Sequence, residues 1–231
     1  MAGVPNMLLS GIVGSTAYGL AGPDSDVDRL GVYAAPTVAF HGLNPPTGRD
    51  ASIVSHDPDT TYHEAAKAAA LMLGGNPTVT EILWLPDDLY EVRTALGDEM
   101  IAIRRAFLSA KRTRDAYFGY AVSQLERLLR TGQFQSKMRK RQAKHGRHLL
   151  RLLDQGFHLY ATGELPIRVT KPQRYIDFGE AVAADPQVAR PVLAEADERF
   201  NSVQSALPAE PDRPAIEAWL HRVRRAYLDP A

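Results

Sequence analysis

Two aspartates separated by one residue, Asp26 and Asp28, lie downstream of a Gly14-Ser15 pair in a chain of 231 residues. On an extended backbone, side chains two apart share a face. Asp26 and Asp28 are therefore expected to point the same way, with Val27 directed into a core. Two carboxylates so placed repel each other. A hard divalent cation, Mg²⁺ or Mn²⁺, relieves that repulsion by taking oxygen ligands from carboxylates and from substrate phosphates together. Gly14 and Ser15 offer a second element. At the junction of a strand and a helix they present unpaired backbone N–H groups and a hydroxyl, a setting that favours an anion such as phosphate. A phosphate cradle beside metal-holding carboxylates suits in-line attack on a nucleotide phosphate.

Short apolar segments flank this stretch. Met7–Val13 before it and Leu30–Ala34 after it are bounded by Gly and Pro and rich in strand-forming residues, so both are expected to be strands. Residues 36–49, with Gly42, Pro45, Pro46 and Gly48, form a loop. Ala51–Ser55 is a weak third strand. Tyr62–Leu73 is expected to be an Ala-rich helix, capped by Thr60 or Thr61, with Glu64 in its first turn. Gly74-Gly75-Asn76-Pro77 ends it, and Thr78 starts a short helix that runs through Leu83. From Asp98 onward nearly everything has helical spacing: 100–108, 111–130, 137–161, 173–183, 187–207 and 214–228. The expected fold class is α+β, a small mixed-sheet core over 1–95 followed by a helical region over 96–231.

Composition narrows the function. Lysine plus arginine equals aspartate plus glutamate at 27 each, so a polyanionic partner must be held by a local patch. The chain has no cysteine, which excludes disulfides, thiolate zinc sites and a cysteine nucleophile. No signal-peptide pattern and no apolar run of about 20 residues is present. These features lead to the expectation of a cytoplasmic protein with no membrane partner.

The full run Gly14-Ser-Thr-Ala-Tyr-Gly-Leu-Ala-Gly-Pro-Asp-Ser-Asp-Val-Asp-Arg-Leu-Gly-Val-Tyr33 resembles the polymerase-β-type nucleotidyltransferase superfamily. Within it, the wording is similar to a branch of bacterial and phage proteins described as polymerase-β-like enzymes of an RNA repair pathway. The resemblance implies an NTP as substrate, Mg²⁺ as cofactor, nucleoside monophosphate transfer to a hydroxyl, and RNA as acceptor. It also implies a third carboxylate from a neighbouring strand. Asp57 and Asp59 both qualify, since equal parity puts both on one extended face. Asp59 is preferred. The run from Asp59 through Glu64 and Lys67 to Asn76-Pro77 is similar to the family's pattern, whereas Asp57 reads as a cap before the Tyr62 helix. Asp26, Asp28 and Asp59 are thus the expected catalytic and metal-binding set, and Gly14 and Ser15 the expected phosphate site. A helical region closing one side of the cleft completes the expectation.

Ser136–Arg151 carries many cations and no acid. Lys137, Arg141, Lys144, His148 and Arg151 follow one another at helical spacing and form a single stripe. Lys144, His148 and Arg151 resemble a segment of the same branch and are assigned to the nucleotide, with Lys137 and Arg141 assigned to the acceptor. The plain alternative is a solvated basic face. His145 with His148 lacks a third metal ligand nearby. His56 and His63 flank Asp59 and are candidates to line the site, while Tyr18 either packs or stacks on a base. The cluster Trp219, His221, Arg222, Arg224 and Arg225 reads as an amphipathic terminal helix. Two rival functions remain: the same transfer to a protein or small molecule, and a non-catalytic module that holds RNA on the basic stripe.

Overall fold

Strand β1, Met7–Val13, lies inside a five-stranded sheet. Its apolar run places Leu8 and Leu9 fully in the core. A computed structural model describes residues 6–23, 25–130 and 136–228. After β1 come α1 (Gly14–Tyr18), β2 (Asp28–Tyr33), β3 (Ser52–His56), β4 (Asp59–Glu64), α2 (Ala65–Leu73), α3 (Pro77–Thr80), β5 (Tyr90–Arg93) and α4 (Ala95–Ala102). The sheet order is β3-β4-β2-β1-β5. β2 and β4 run parallel, with Arg29 opposite Thr60 and Tyr33 opposite Glu64. The other pairs are antiparallel. A mixed sheet followed by helices is an α+β fold.

The helices that follow are α5 (Ala110–Arg130), α6 (Ser136–Thr162), α7 (Pro172–Ala184), α8 (Ala189–Ser202) and α9 (Arg213–Ala226). The chain forms two compact units. The first joins Met1–Leu108 to Pro211–Ala231, and the second is Ser109–Glu210. The change of composition near residue 95 marks the end of the strands, since β5 stops at Arg93. Compactness divides the chain elsewhere, because α9 packs in the sheet-bearing unit. There Trp219 is fully buried and its Nε1 donates to the Leu96 carbonyl at 2.9 Å. In the second unit, α5 and α6 bury Tyr117, Leu128, Leu149 and Leu152. α6 and α7 meet at Gly146 and Gly179, where a Cβ on Gly179 would lie 2.6 Å from the Ala143 carbonyl oxygen.

Four local expectations change. Tyr62 to Glu64 are the end of β4 and not the start of a helix. β-Branched Thr60 and Thr61 and aromatic Tyr62 suit a strand, and the edge of β2 supplies the partner. The α2 cap is accordingly Glu64, whose side chain accepts from the Ala66 N–H, and not Thr60 or Thr61. The α3 cap is Asn76, which accepts from the Val79 N–H, with Pro77 in the first helical position. The last correction is at α8, which stops at Ser202.

Candidate active site

β1 ends where α1 begins, and β2 returns beside it so that Val13 pairs with Asp28. Gly14 has φ of 70°, in the left-handed region. A Cβ there would sit 2.0 Å from Asp28 Oδ2. Only a residue without a side chain lets this carboxylate rest against the start of α1. Gly14 therefore admits both a sharp strand-to-helix turn and a half-buried acid against it. α1 has only five residues. Its macrodipole is correspondingly slight, and any attraction for an anion comes from the first N–H groups themselves.

Asp26 is placed differently from expectation. It lies ahead of β2, in an exposed stretch closed by a turn in which Ser25 N–H donates to the Gly22 carbonyl and Gly22 N–H to Ser25 Oγ. Val27 is 38% exposed and not in the core. The reason is pairing: β1 ends at Val13, so no partner strand extends past Asp28. The two-residue alternation assumed for Asp26 and Asp28 holds only inside a strand.

Asp59 opens β4 opposite His56 and is exposed. The first β2–β4 pair is Arg29 with Thr60. Asp28 and Asp59 each precede that pair by one residue, so both stand at the same end of adjacent strands. By alternation they share the face opposite Arg29 and Thr60. Asp57 lies in the β3–β4 turn, joined to Pro58 by a cis peptide bond. His56 is exposed. His63 Nδ1 shares a 2.7 Å hydrogen bond with Ser52 Oγ, and burial together with Lys67 lowers its pKa. Glu64 is 1% exposed and paired with Arg224, so it serves the scaffold. Lys67 Nζ donates to the Gly48 carbonyl at 2.7 Å.

Among the described residues, no group of three or more His, Asp or Glu side chains could hold a metal ion by itself. Asp26, Asp28 and Asp59 are thus not a ready three-ligand cage. The donor set still fits Mg²⁺, which binds through one or two carboxylates plus substrate phosphates and keeps several waters. The cradle at Gly14, filled by the Asp28 carboxylate, puts one such hard oxygen beside the expected phosphate site.

The basic stripe on α6 does not keep one environment. Arg141 and Lys144 are exposed, as are Arg139 and Lys140. The Lys137 side chain lies outside the described residues. His148 is half-buried, and burial followed by Arg151 and other cations pushes its pKa down to about 3, so it is neutral at physiological pH. Its Nδ1 accepts from Arg151 Nη2 at 2.9 Å. Arg151 is 3% exposed and donates to Gln155 Oε1, and Gln155 in turn donates to the carbonyls of Pro166 and Ile167. His145 bonds Gln124 of α5 through Nδ1 at 2.6 Å. Helical spacing correctly puts these residues in a row, but it does not reveal which end of the row is covered.

The sequence reading missed Glu81. This buried carboxylate receives the Tyr18 hydroxyl, with its two oxygens at 2.7 and 3.0 Å. Tyr18 is itself buried, so its ring packs and does not offer a face for a base.

A Gly-Ser turn after the first strand, an Asp from the second strand against it and an Asp opening the adjacent parallel strand define a polymerase-β-like protein. A family model described as "RNA repair pathway DNA polymerase beta family" matches residues 3–190, and the chain belongs to that family. No curated protein matches the chain. Residues 191–231, including α9, lie beyond the matched region. Among the described residues, no helix is long and apolar enough to cross a membrane.

Proposed function

We propose that this protein transfers a nucleoside monophosphate from an NTP to a hydroxyl of an RNA acceptor, releasing pyrophosphate. The observation that carries the reading is the Asp28 carboxylate seated against Gly14, with Asp59 opening the next strand. The Gly14 and Ser15 N–H groups and the Ser15 hydroxyl would hold phosphate oxygens of the NTP. Asp26 and Asp28 would hold Mg²⁺, with Asp59 as a further ligand; when bound, the ion offsets the charge of the reacting phosphates. Asp59 would also take the proton from the attacking hydroxyl. That oxygen forms a bond to the α-phosphorus as the bond to pyrophosphate breaks on the opposite side. The exposure of Asp26 and Asp59 suits groups that act on a substrate and not on the core.

On α6, Lys144 is assigned to the nucleotide, and Lys137 and Arg141 to the RNA acceptor. His148 and Arg151, expected at the nucleotide, are better suited to hold α6 and the segment after it, because their hydrogen bonds run inward. The test incubates the protein with each labelled NTP, Mg²⁺, and either RNA or a protein mixture, with Asp28→Asn as control. The reading expects label in RNA, lost in the control. Label in protein instead would assign a protein acceptor. No transfer from any NTP to either acceptor would overturn the enzymatic reading in favour of an RNA-holding module.

A further inference from the structure

The reaction proposed above makes no use of Glu81, one of two buried carboxylates, with Glu64, among the described residues of the sheet-bearing unit. Glu81 is 2% exposed and begins the helical turn Glu81–Trp84 after α3. Its partner Tyr18 is the last residue of α1, one turn from Ser15. α1 depends heavily on outside support. Its five residues are far too few to be stable alone. No side chain caps its N-terminus, and its first residue has a left-handed backbone. Its buried residues are Ala17 and Tyr18. Ala17 contributes a methyl group without direction. Tyr18 contributes a ring and a hydroxyl aimed at a carboxyl group 63 residues away in sequence.

Simple packing is a poor account of Glu81. A Leu or Met of similar size would fill the space without the cost of burying a carboxyl group. What the carboxyl adds is geometry, because a hydroxyl-to-carboxyl hydrogen bond is directional and holds its two ends at a set distance and angle. We infer that Tyr18 and Glu81 are a positioning pair that sets the orientation of the Gly14–Ser15 turn, and through it the affinity for the triphosphate of an NTP. The inference rests on the nucleotide-transfer reading above.

The experiment measures binding of a non-hydrolysable NTP analogue with Mg²⁺ by calorimetry, together with KM and kcat, for wild type, Tyr18→Phe and Glu81→Gln. All measurements are made well below each melting temperature. Tyr18→Phe removes only the hydroxyl, and is expected to weaken analogue binding and raise KM by about tenfold while kcat changes much less. Glu81→Gln keeps an acceptor for the hydroxyl, and is expected to shift KM by less than about threefold. A folded Tyr18→Phe with wild-type affinity and KM would overturn the inference, since a merely structural bond changes melting without changing KM. An effect of Glu81→Gln equal to that of Tyr18→Phe would also overturn it, because charge and not positioning would then be at work. If Tyr18→Phe does not fold, Glu81→Asp carries the test: it withdraws the carboxyl by one methylene, and wild-type affinity in that variant overturns the inference. A wild-type protein that binds no analogue overturns the nucleotide reading and this inference together. A wild-type protein that binds, beside variants that bind equally, overturns only the inference.

Discussion

Gly14 and Asp28 are coupled by sterics before any chemistry occurs. Gly14→Ala would place a methyl group 2.0 Å from Asp28 Oδ2 and force an alanine to φ of 70°. The backbone strain alone costs about 1–2 kcal/mol, and the displaced carboxylate should abolish transfer; urea unfolding and the labelled-NTP assay check the two halves. Asp28→Asn is expected to abolish transfer while leaving the protein folded, since it keeps the shape of the side chain and removes only the charge. Asp59→Ala should lower kcat by orders of magnitude with less effect on analogue affinity, and Asp57→Ala, at a turn, should be milder. A reversed ranking would move the third carboxylate to Asp57. His148 gives a pH signature. Its pKa is lowered in the fold to about 3 from an ordinary 6.5, so the unfolded chain binds the extra proton. Its contribution to stability is fully present above pH about 6.5 and is lost as pH falls towards 3. Urea unfolding of wild type and His148→Gln across that window should show a steeper loss in wild type, by up to one proton.

At the scale of elements, β4 and α9 support each other. β4 begins at Asp59 and ends at Glu64, which caps α2 and receives two hydrogen bonds from Arg224 of α9, at 2.7 and 3.1 Å. Arg224 also stacks over Phe40, its guanidinium 4.1 Å from the ring centre. Removing it leaves a buried carboxylate without its charge partner. Arg224→Ala is therefore expected to destabilise by about 3–5 kcal/mol. Arg222, two residues earlier, pairs with Glu99 at 2.6 Å, but both side chains are about 40% exposed. Arg222→Ala should cost at most about 1 kcal/mol. Chemical denaturation of the two variants measures the contrast. Equal losses would mean that the Glu64 pair is not what fastens α9 to the unit.

For the whole molecule, the division into two units separates two kinds of charge. The acidic candidates Asp26, Asp28 and Asp59 all belong to the unit Met1–Leu108 with Pro211–Ala231, and the exposed cations of α6 to the unit Ser109–Glu210. A neutral chain can therefore still offer a strongly basic local face. If α6 follows an RNA backbone, combining Lys137→Ala with Arg141→Ala should weaken RNA binding and reduce its salt dependence. Each lost phosphate contact removes roughly 0.7 from the slope of log affinity against log salt for a single strand. RNA affinity measured at several salt concentrations tests this, and equal slopes for wild type and variant would exclude phosphate contact at those positions.

Local patterns were enough for much of this. Gly14-Ser15 between two apolar runs, the strands on either side and the long helices of the second unit all depend on neighbours within a few residues, where spacing and turn chemistry act directly. Tertiary structure decided the rest. Tyr62–Glu64 joins a strand because β2 offers an edge, overriding the helical pattern that continues from α2. Asp26 leaves the strand because β1 ends at Val13. The α6 stripe is exposed at Arg141 and Lys144 but buried at Arg151, since periodicity tells which residues share a face and not what lies on it. Tyr18 finds Glu81 and Glu64 finds Arg224 across 63 and 160 residues. At such separations a hydrogen bond exists only after the chain has folded around it, and no local spacing encodes it.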